Sequence, residues 1–349
     1  LRDIRSQADS LARVLVHHLG GGRAELGAAA DALRRTTRVV ITGMGASMYA
    51  SVPFEYRLGS LGIDATLIES GELLHYTRRL DRDTVVVIVS RSGESVEVVR
   101  LLEQLERRCP TIGVTNDPES ALARGADHVI HVGSLADETV AIQTYTGTLL
   151  TLELLAAAVA DDLSSVAGEA RAAVDPLRSF IEAGVERLAR WDAFFESRSS
   201  VHLLARGPSI ASALEGALLL NETAKIPAVG VAAASFRHGP VEVVDESFAG
   251  LVFAPPTDPG RLNVALAVDL AAFGGRIVVI GPGRPELERI ECYETPAVPE
   301  RMLPLFEVVP LQLAALRLAQ SRGLTPGRFR YTPLVSRDEA TFAASAACA

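Results

Sequence analysis

An α/β protein made of two doubly wound parallel-sheet domains in tandem is what the sequence predicts, on three observations. The run Thr84-Val85-Val86-Val87-Ile88-Val89 is continuously apolar and β-branched, which reads as a strand covered on both faces, the habit of parallel sheets. Such strands alternate with stretches of helical apolar spacing, as crossover connections require. The plan then repeats. With Ser47 set against Ser209, residues 38–42 answer 201–204, 85–89 answer 250–254 and 110–114 answer 276–280, at a nearly constant offset. The 349 residues are comfortable for two domains of roughly 100–150 residues or a little more. The expected division is residues 1–165, carrying the anion loops, and residues 166–349, carrying the candidate glutamate, histidine and tail.

In chain order, residues 4–19 have helical spacing and stop at Gly20-Gly21-Gly22, and a second helix covers 24–35. The first strand, 38–42, ends in Gly43-Met44-Gly45-Ala46-Ser47 and is followed by a helix over 48–61. A short strand at 64–68 precedes the strand at 84–89, and strands at 111–115 and 126–132 complete this half. A long helical segment, 161–197, leads to the strand 201–204, the loop Ala205-Arg206-Gly207-Pro208-Ser209 and a helix over 210–224.

Composition is that of an ordinary globular chain, and the net charge of −9, with no basic block, argues against a nucleic-acid partner. Cys109, Cys292 and Cys348 have no metal-ligand spacing and fit a reducing cytoplasm. The apolar run at 148–160 contains Glu153 and falls short of the ~20 residues that span a bilayer, and Leu1 opens a charged amphipathic segment with no secretory signal. The expectation is therefore a cytoplasmic chain with no membrane partner, with residues preceding Leu1. Its only lysine is Lys225, so any scheme needing a reactive amine has one side chain to use.

The segment Ser90-Arg91-Ser92-Gly93-Glu94-Ser95 lies between the carboxyl end of a strand and a helix from about residue 97. Backbone N–H groups, the helix dipole and short hydroxyls converge on an anion at such a place. A single loop of this kind is ordinarily only a helix cap. What gives it weight is Gly43-Met44-Gly45-Ala46-Ser47 at an adjacent strand end, so that Ser47, Ser90, Ser92 and Ser95 are placed to encircle one phosphate. Arg91 either adds charge there or points to solvent. A dinucleotide is excluded, because the third glycine of that fingerprint falls at Met48. His17, His18, His75, His128, His131 and His202 show no ligand spacing, so neither metal nor cofactor is expected.

Taken together, these two loops resemble the signature loops of the sugar-isomerase (SIS) domain. The whole chain is similar to the tandem SIS module of the glucosamine-6-phosphate synthases, also called glutamine–fructose-6-phosphate aminotransferases. The resemblance implies flavodoxin-like doubly wound domains and a sugar-phosphate ligand. Leu214-Glu215-Gly216-Ala217-Leu218-Leu219-Leu220-Asn221-Glu222 looks like the family's helix bearing the isomerase glutamate, which maps to Glu222. Arg237-His238-Gly239-Pro240 looks like the loop whose histidine opens the sugar ring from a neighbouring subunit, which maps to His238 and implies a homodimer. Val140-Ala141-Ile142-Gln143-Thr144-Tyr145 is like the third sugar-contacting loop, bringing in Ala141 and Gln143, and residues 310–315 with Arg322-Gly323 resemble the C-terminal helix.

The departures are specific. No amidotransferase domain with its N-terminal cysteine is seen, so glutamine is not expected as an ammonia source within this chain. The family's tail lysine falls at Leu334, Ala46 replaces a phosphate-binding threonine, the third loop lacks its lysine, and Ser235 stands where a glutamate commonly precedes the histidine loop.

What survives is a carboxylate for proton transfer between C1 and C2 of an open-chain hexose phosphate and a donor near the ring oxygen. Glu222 and His238 suit those roles, with burial on the apolar helix expected to raise the Glu222 pKa. The expected activity is sugar-phosphate isomerisation, or deamination or deglycation of an amino-sugar phosphate. The alternative is a sugar-phosphate sensor without turnover; a DNA-binding regulator is disfavoured by the few, non-basic N-terminal helices.

Overall fold

The computed structural model describes residues 1–76, 80–105, 108–195, 200–283, 290–331 and 335–339. Its strands form two separate five-stranded sheets, both wholly parallel in their pairings, with the orders β2-β1-β3-β4-β5 and β10-β9-β8-β6-β7. In the first sheet β1 is Arg38–Gly43, β2 Asp64–Glu69, β3 Thr84–Val89, β4 Thr111–Thr115 and β5 His128–His131. In the second, β6 is Val201–Ala205, β7 Ala228–Ala232, β8 Ala249–Phe253, β9 Arg276–Pro282 and β10 Glu291–Thr295. Counted within each half, both orders are 2-1-3-4-5, the doubly wound arrangement in which the chain reverses direction beside the first strand.

The apolar runs read from the sequence are the central strands. Every residue of β3, β4 and β8 is buried, and Val86, Val87 and Ile88 have no exposed surface. On one face of the first sheet Val86 and Ile88 pack with Val98, Leu101 and Leu105 of the helix Val96–Leu105; in the second, Val252 and Val279 pack with Leu266 and Leu270 of the helix Asp258–Ala272. Burying one such side chain contributes roughly 1.5–3 kcal/mol, which fixes which helix face meets the sheet.

The helix expected over 48–61 is two pieces, Ala46–Ala50 and Val52–Ser60, with Pro53 at the start of the second, where its missing N–H costs nothing. The long segment expected over 161–197 divides into Leu163–Glu186 and Arg190–Phe195, and residue 197 lies outside the described residues. The helix expected over 210–224 is α-helical only through Leu219 and closes as a π turn, Leu220–Ala224. The segment Glu300–Ser321 is long and apolar enough to cross a membrane, and 94% of its apolar window is buried, as befits a core helix.

The chain divides into two compact units, each in two pieces: Asp9–Arg171 with Phe329–Ala349, and Leu1–Ala8 with Ala172–Arg328. In the second unit Arg5 is ion-paired with Glu182 at 3.0 Å, and Gln7 donates to Gln312 at 2.8 Å, so the start of the chain is tied to helices read much later.

Close packing within the second unit rests on Gly216. A Cβ there would come within 2.2 Å of Leu311 Cδ1 and 2.6 Å of Leu203 Cδ2, and both leucines are fully buried with nowhere to swing. Gly216→Ala gains helix propensity but overpacks this contact, so a net loss of about 1–2 kcal/mol is expected in the urea unfolding midpoint.

Candidate functional site

In the first unit β1 pairs with both β2 and β3, so the chain direction reverses between β1 and β3. The two expected anion loops leave those strands at this point, since Thr42 stands opposite Ile88 and the segments that follow depart at one level. Their closeness is enforced by Gly43: a Cβ there would lie 2.9 Å from Val89 O and 3.0 Å from Met48 N. Gly45 takes a positive φ of 51° to turn into the short helix Ala46–Ala50, leaving Ala46 and Ser47 partly exposed.

The second loop is braced by its own hydroxyls. Ser90 is 7% exposed and its Oγ accepts from Gly93 N at 3.1 Å, while Ser92 Oγ accepts from Glu94 N at 3.3 Å. In each case the hydroxyl hydrogen remains available to donate to a ligand. Gly93 has φ 61°, and Glu94 turns away to accept from Ala121 N at 2.6 Å. Ser95 immediately precedes the helix Val96–Leu105, its carbonyl accepting from Val99 N at 3.0 Å.

Arg91 is partly exposed and makes a contact that the sequence did not suggest. Its Nη1 donates to Thr139 O at 2.9 Å, tying this loop to the segment that leads into the helix Gln143–Val159. That segment is itself held by Asp137, whose carboxylate accepts from Gln143 N at 2.7 Å, from Thr144 N at 3.2 Å and from the Thr144 hydroxyl. Burial raises the Asp137 pKa, against the lowering effect of those hydrogen bonds. Gln143, 3% exposed, donates to Ala136 O at 3.1 Å, and its Oε1 is a buried acceptor with no partner among the described residues. Ala141 is partly exposed beside it.

The position expected for the tail lysine, Leu334, lies outside the described residues, as does Cys348. The tail just beyond it meets the second loop. Ser336 O accepts from Val96 N at 3.0 Å, at the first turn of the helix after Ser95, and Glu339 is paired with both His75 and Arg100. The His75 hydrogen bond is the main cause that lowers the Glu339 pKa.

Glu222 and His238 lie in the other unit. Glu222 is partly exposed on the π turn, a rare helical form often found at functional sites, rather than buried on an apolar α-helix as expected. Neighbouring Asn221 pins the turn to the start of β7, accepting from Ala228 N at 2.9 Å and donating to Ala228 O at 3.0 Å. Lys225 ends the turn at a left-handed φ of 56°, with Nζ on the carbonyl oxygens of Glu222 and Arg328. His238 is exposed, following β7 and the short helix Ala233–Phe236. Five residues of strand, about 13 Å, thus separate the levels of the two groups, and the fold does not bring them together within one unit.

One functional-looking group escaped the sequence reading. Glu307, with no exposed surface, accepts from Ser209 Oγ and Ser212 Oγ, each at 2.8 Å. Burial pushes its pKa up to about 7, against the pull of the two serines. The available signal was a lone carboxylate in the apolar run Leu303-Pro304-Leu305-Phe306-Glu307-Val308-Val309. A recess of about 690 Å³, lined by Arg82, Arg108, Thr111 and Asp127 among others, opens at the amino ends of β3 to β5, away from the loops above. No cluster among the described residues has the geometry to hold a metal ion. Cys109 is an inert core thiol, its pKa pushed up to about 11 chiefly by burial.

The family model of the SIS domain matches residues 32–159 and 194–322. The chain belongs to the SIS family. Its two SIS domains are 29% identical over 340 residues to the glutamine–fructose-6-phosphate aminotransferase [isomerizing] of Pyrobaculum aerophilum, covering 95% of this chain and 56% of that protein. The chain thus spans about half the length of the curated relatives it matches. Among solved structures, the C-terminal domain of glucosamine-fructose-6-phosphate aminotransferase from Francisella tularensis has the same fold, with a TM-score of 0.82 at 19% identity over 93% of this chain and 96% of that one. The glucosamine-6-phosphate deaminase of Thermotoga maritima shares the fold too, with a TM-score of 0.77 at 20% identity over 96% and 98%.

Two measurements probe this geometry. Gly93→Ala places a side chain at positive φ and within 2.3 Å of Ser120 Oγ, and is expected to cost about 2–4 kcal/mol in thermal or urea unfolding. For Glu307 the folded pKa, about 7, lies above the ordinary 4.5, so its contribution to stability is full below pH 4.5 and is lost as pH rises to about 7. The stability of the wild type relative to Glu307→Gln is therefore expected to fall by about 3 kcal/mol across that window.

Proposed function

We propose that the chain is a sugar-phosphate isomerase, or a deaminase or deglycase of an amino-sugar phosphate, acting by proton transfer between C1 and C2 of an open-chain hexose phosphate. The observation that carries this reading is the meeting of residues 44–47 and 90–95 at the switch point of the first sheet, where α/β proteins take anionic ligands. Family membership supports it. So do the names of the relatives, which carry fructose 6-phosphate and glucosamine 6-phosphate.

In this proposal Ser47, Ser90, Ser92 and Ser95, with the backbone of Gly45 and Ala46, bind the phosphate. Ala141 and Gln143 contact the sugar, the open Oε1 of Gln143 accepting from a hydroxyl. Arg91 adds charge at the phosphate while its Nη1 ties the second loop to Thr139. Glu222 takes the proton from C2 of the open-chain aldose. The C2–H electron pair becomes the C1=C2 bond of an enediol as the carbonyl oxygen at C1 takes up a proton from solvent, and the Glu222 acid then returns its proton to C1 while the C2 hydroxyl gives its proton back to solvent and becomes the ketone. His238 protonates the ring oxygen to open the ring.

The wide spacing of the Glu222 turn and His238 along β7 supports a homodimer in which each copy lends His238 to the other's substrate. The protein is placed in the cytoplasm, and the proposal asks for no metal, cofactor or glutamine hydrolysis by these residues.

A non-catalytic sugar-phosphate sensor is the second reading. The observation favouring it is that the only lysine, Lys225, is engaged as the cap of the Glu222 turn, leaving no amine of this chain placed for chemistry. Solvent-deuterium exchange at C1 of fructose 6-phosphate or at C2 of glucosamine 6-phosphate separates the two: exchange supports the enzyme, and tight binding without exchange supports the sensor. Glu222→Gln is expected to abolish exchange while leaving affinity nearly intact in a thermal-shift titration. Ser92→Ala is expected to weaken affinity about 10–100-fold, the loss of a hydrogen bond to a charged group. Equal loss of binding and turnover in Glu222→Gln would remove the base assignment.

A further inference from the structure

We propose that Glu307 and Arg322, at the two ends of one helix, are positioning residues for Glu222, splinting the helix that bears it so that its last turn stays in the π form. This rests on the assignment of Glu222 as the base. The helix Ile210–Leu219 runs without interruption into the π turn Leu220–Ala224, and both of its ends are tied to the helix Leu303–Ser321 or the residue just past it. At the start, the buried Glu307 carboxylate takes one hydroxyl on each oxygen, Ser209 at 2.8 Å and Ser212 at 2.8 Å. At the finish, Arg322 Nη1 donates to Ala224 O at 3.5 Å and Lys225 O at 3.4 Å, the last carbonyl of the turn and that of its cap.

The spans match. Glu307 and Arg322 are 15 residues apart on their helix, and Ser209 and Ala224 are 15 apart on theirs, so two segments of roughly 20 Å lie fastened at both ends. Between the fastenings Gly216 lets Leu311 press directly on the helix, which leaves no room for one segment to slide along the other.

A π turn carries one residue more than an α turn and is ordinarily a minor form that needs outside support. Were it to relax to α geometry, side chains beyond the relaxation point would swing by about 100° around the axis. Fixing the two ends keeps the extra residue in the last turn, where Glu222 stands. Lys225 at positive φ and the Asn221 hydrogen bonds to Ala228 hold the same turn from its other side.

The experiment uses the full chain with Glu307→Gln and, separately, Arg322→Gln. It reads amide hydrogen exchange over residues 219–226 and the kcat and KM of deuterium exchange at C1 of fructose 6-phosphate. In both variants amide exchange over 219–226 is expected to rise about tenfold while the amides of β6 and β8 keep their protection. The kcat is expected to fall about tenfold with KM unchanged within twofold, since the phosphate loops lie in the other unit.

Unchanged amide exchange in both variants, or a rise in KM at constant kcat, would overturn the proposal. Because Arg322 lies at the helix end and not in the core, its variant decides the question if Glu307→Gln does not fold. If the wild type shows no C1 exchange at all, the functional reading fails while amide exchange still decides whether the splint holds the turn.

Discussion

Parallel pairing of β1 with β3 is the constraint on which the candidate phosphate site depends. Two parallel strands in register release their chains at the same edge, so whatever follows Thr42 and whatever follows Val89 must share that space. The crossing of β1 between β2 and β3 keeps crossover helices from covering the spot, which makes it the natural crevice of the sheet. Gly43 and Gly93 then serve one purpose: each removes a side chain where the two loops and the 120–122 segment come closest. The hydroxyls that would meet an anion also brace the loop that carries them, so recognition and loop rigidity use the same atoms.

The second half keeps the same pairing, β6 with β8, and differs in what the loops carry. Its sheet has the same strand order, and Gly207 takes a positive φ of 59° at the place where Gly45 takes 51°. Yet the loop after β8 contains Pro255 and Pro256, which bring no backbone N–H, and Ser209 has turned its hydroxyl inward to Glu307. The hydroxyl donors left open in the first sheet are, in the second, absent or spent on internal structure. In the proposed reading the first sheet offers the anion crevice, and the second ties its serine into the helix that carries Glu222.

How much of this was legible in the sequence follows from how each residue is held. Fully buried parallel strands announce themselves as β-branched runs, and the central strands β1, β3, β4, β6, β8 and β9 stood out for that reason. The edge strands of the second sheet did not. In β7, Ala228-Val229-Gly230-Val231-Ala232, small residues fit against the helix Ile210–Leu219, and Val229 is 51% exposed, so neither alternation nor a buried run marks it. The π turn is invisible because its residues suit an α-helix equally well. Arg91 and Glu307 were unreadable for a different reason: their partners, Thr139 and the pair Ser209 and Ser212, are distant in sequence, and only the packed fold brings them into reach. The loops themselves were legible, because glycines and hydroxyls at strand ends are local chemistry.

The crossing of the chain between its two units sets an order on synthesis. The helix that starts after Ser95 finds a partner for its first amide, Val96 N, in Ser336, and Glu339 joins His75 and Arg100 beside it. A ribosome releases those partners some 240 residues after the helix they complete. The intervening stretch, Ala172–Arg328, forms the bulk of the other unit and takes back the first eight residues of the chain. The crevice loop is therefore made some 240 residues before it is finished, and the nascent chain carries it without that partner until translation has passed residue 339.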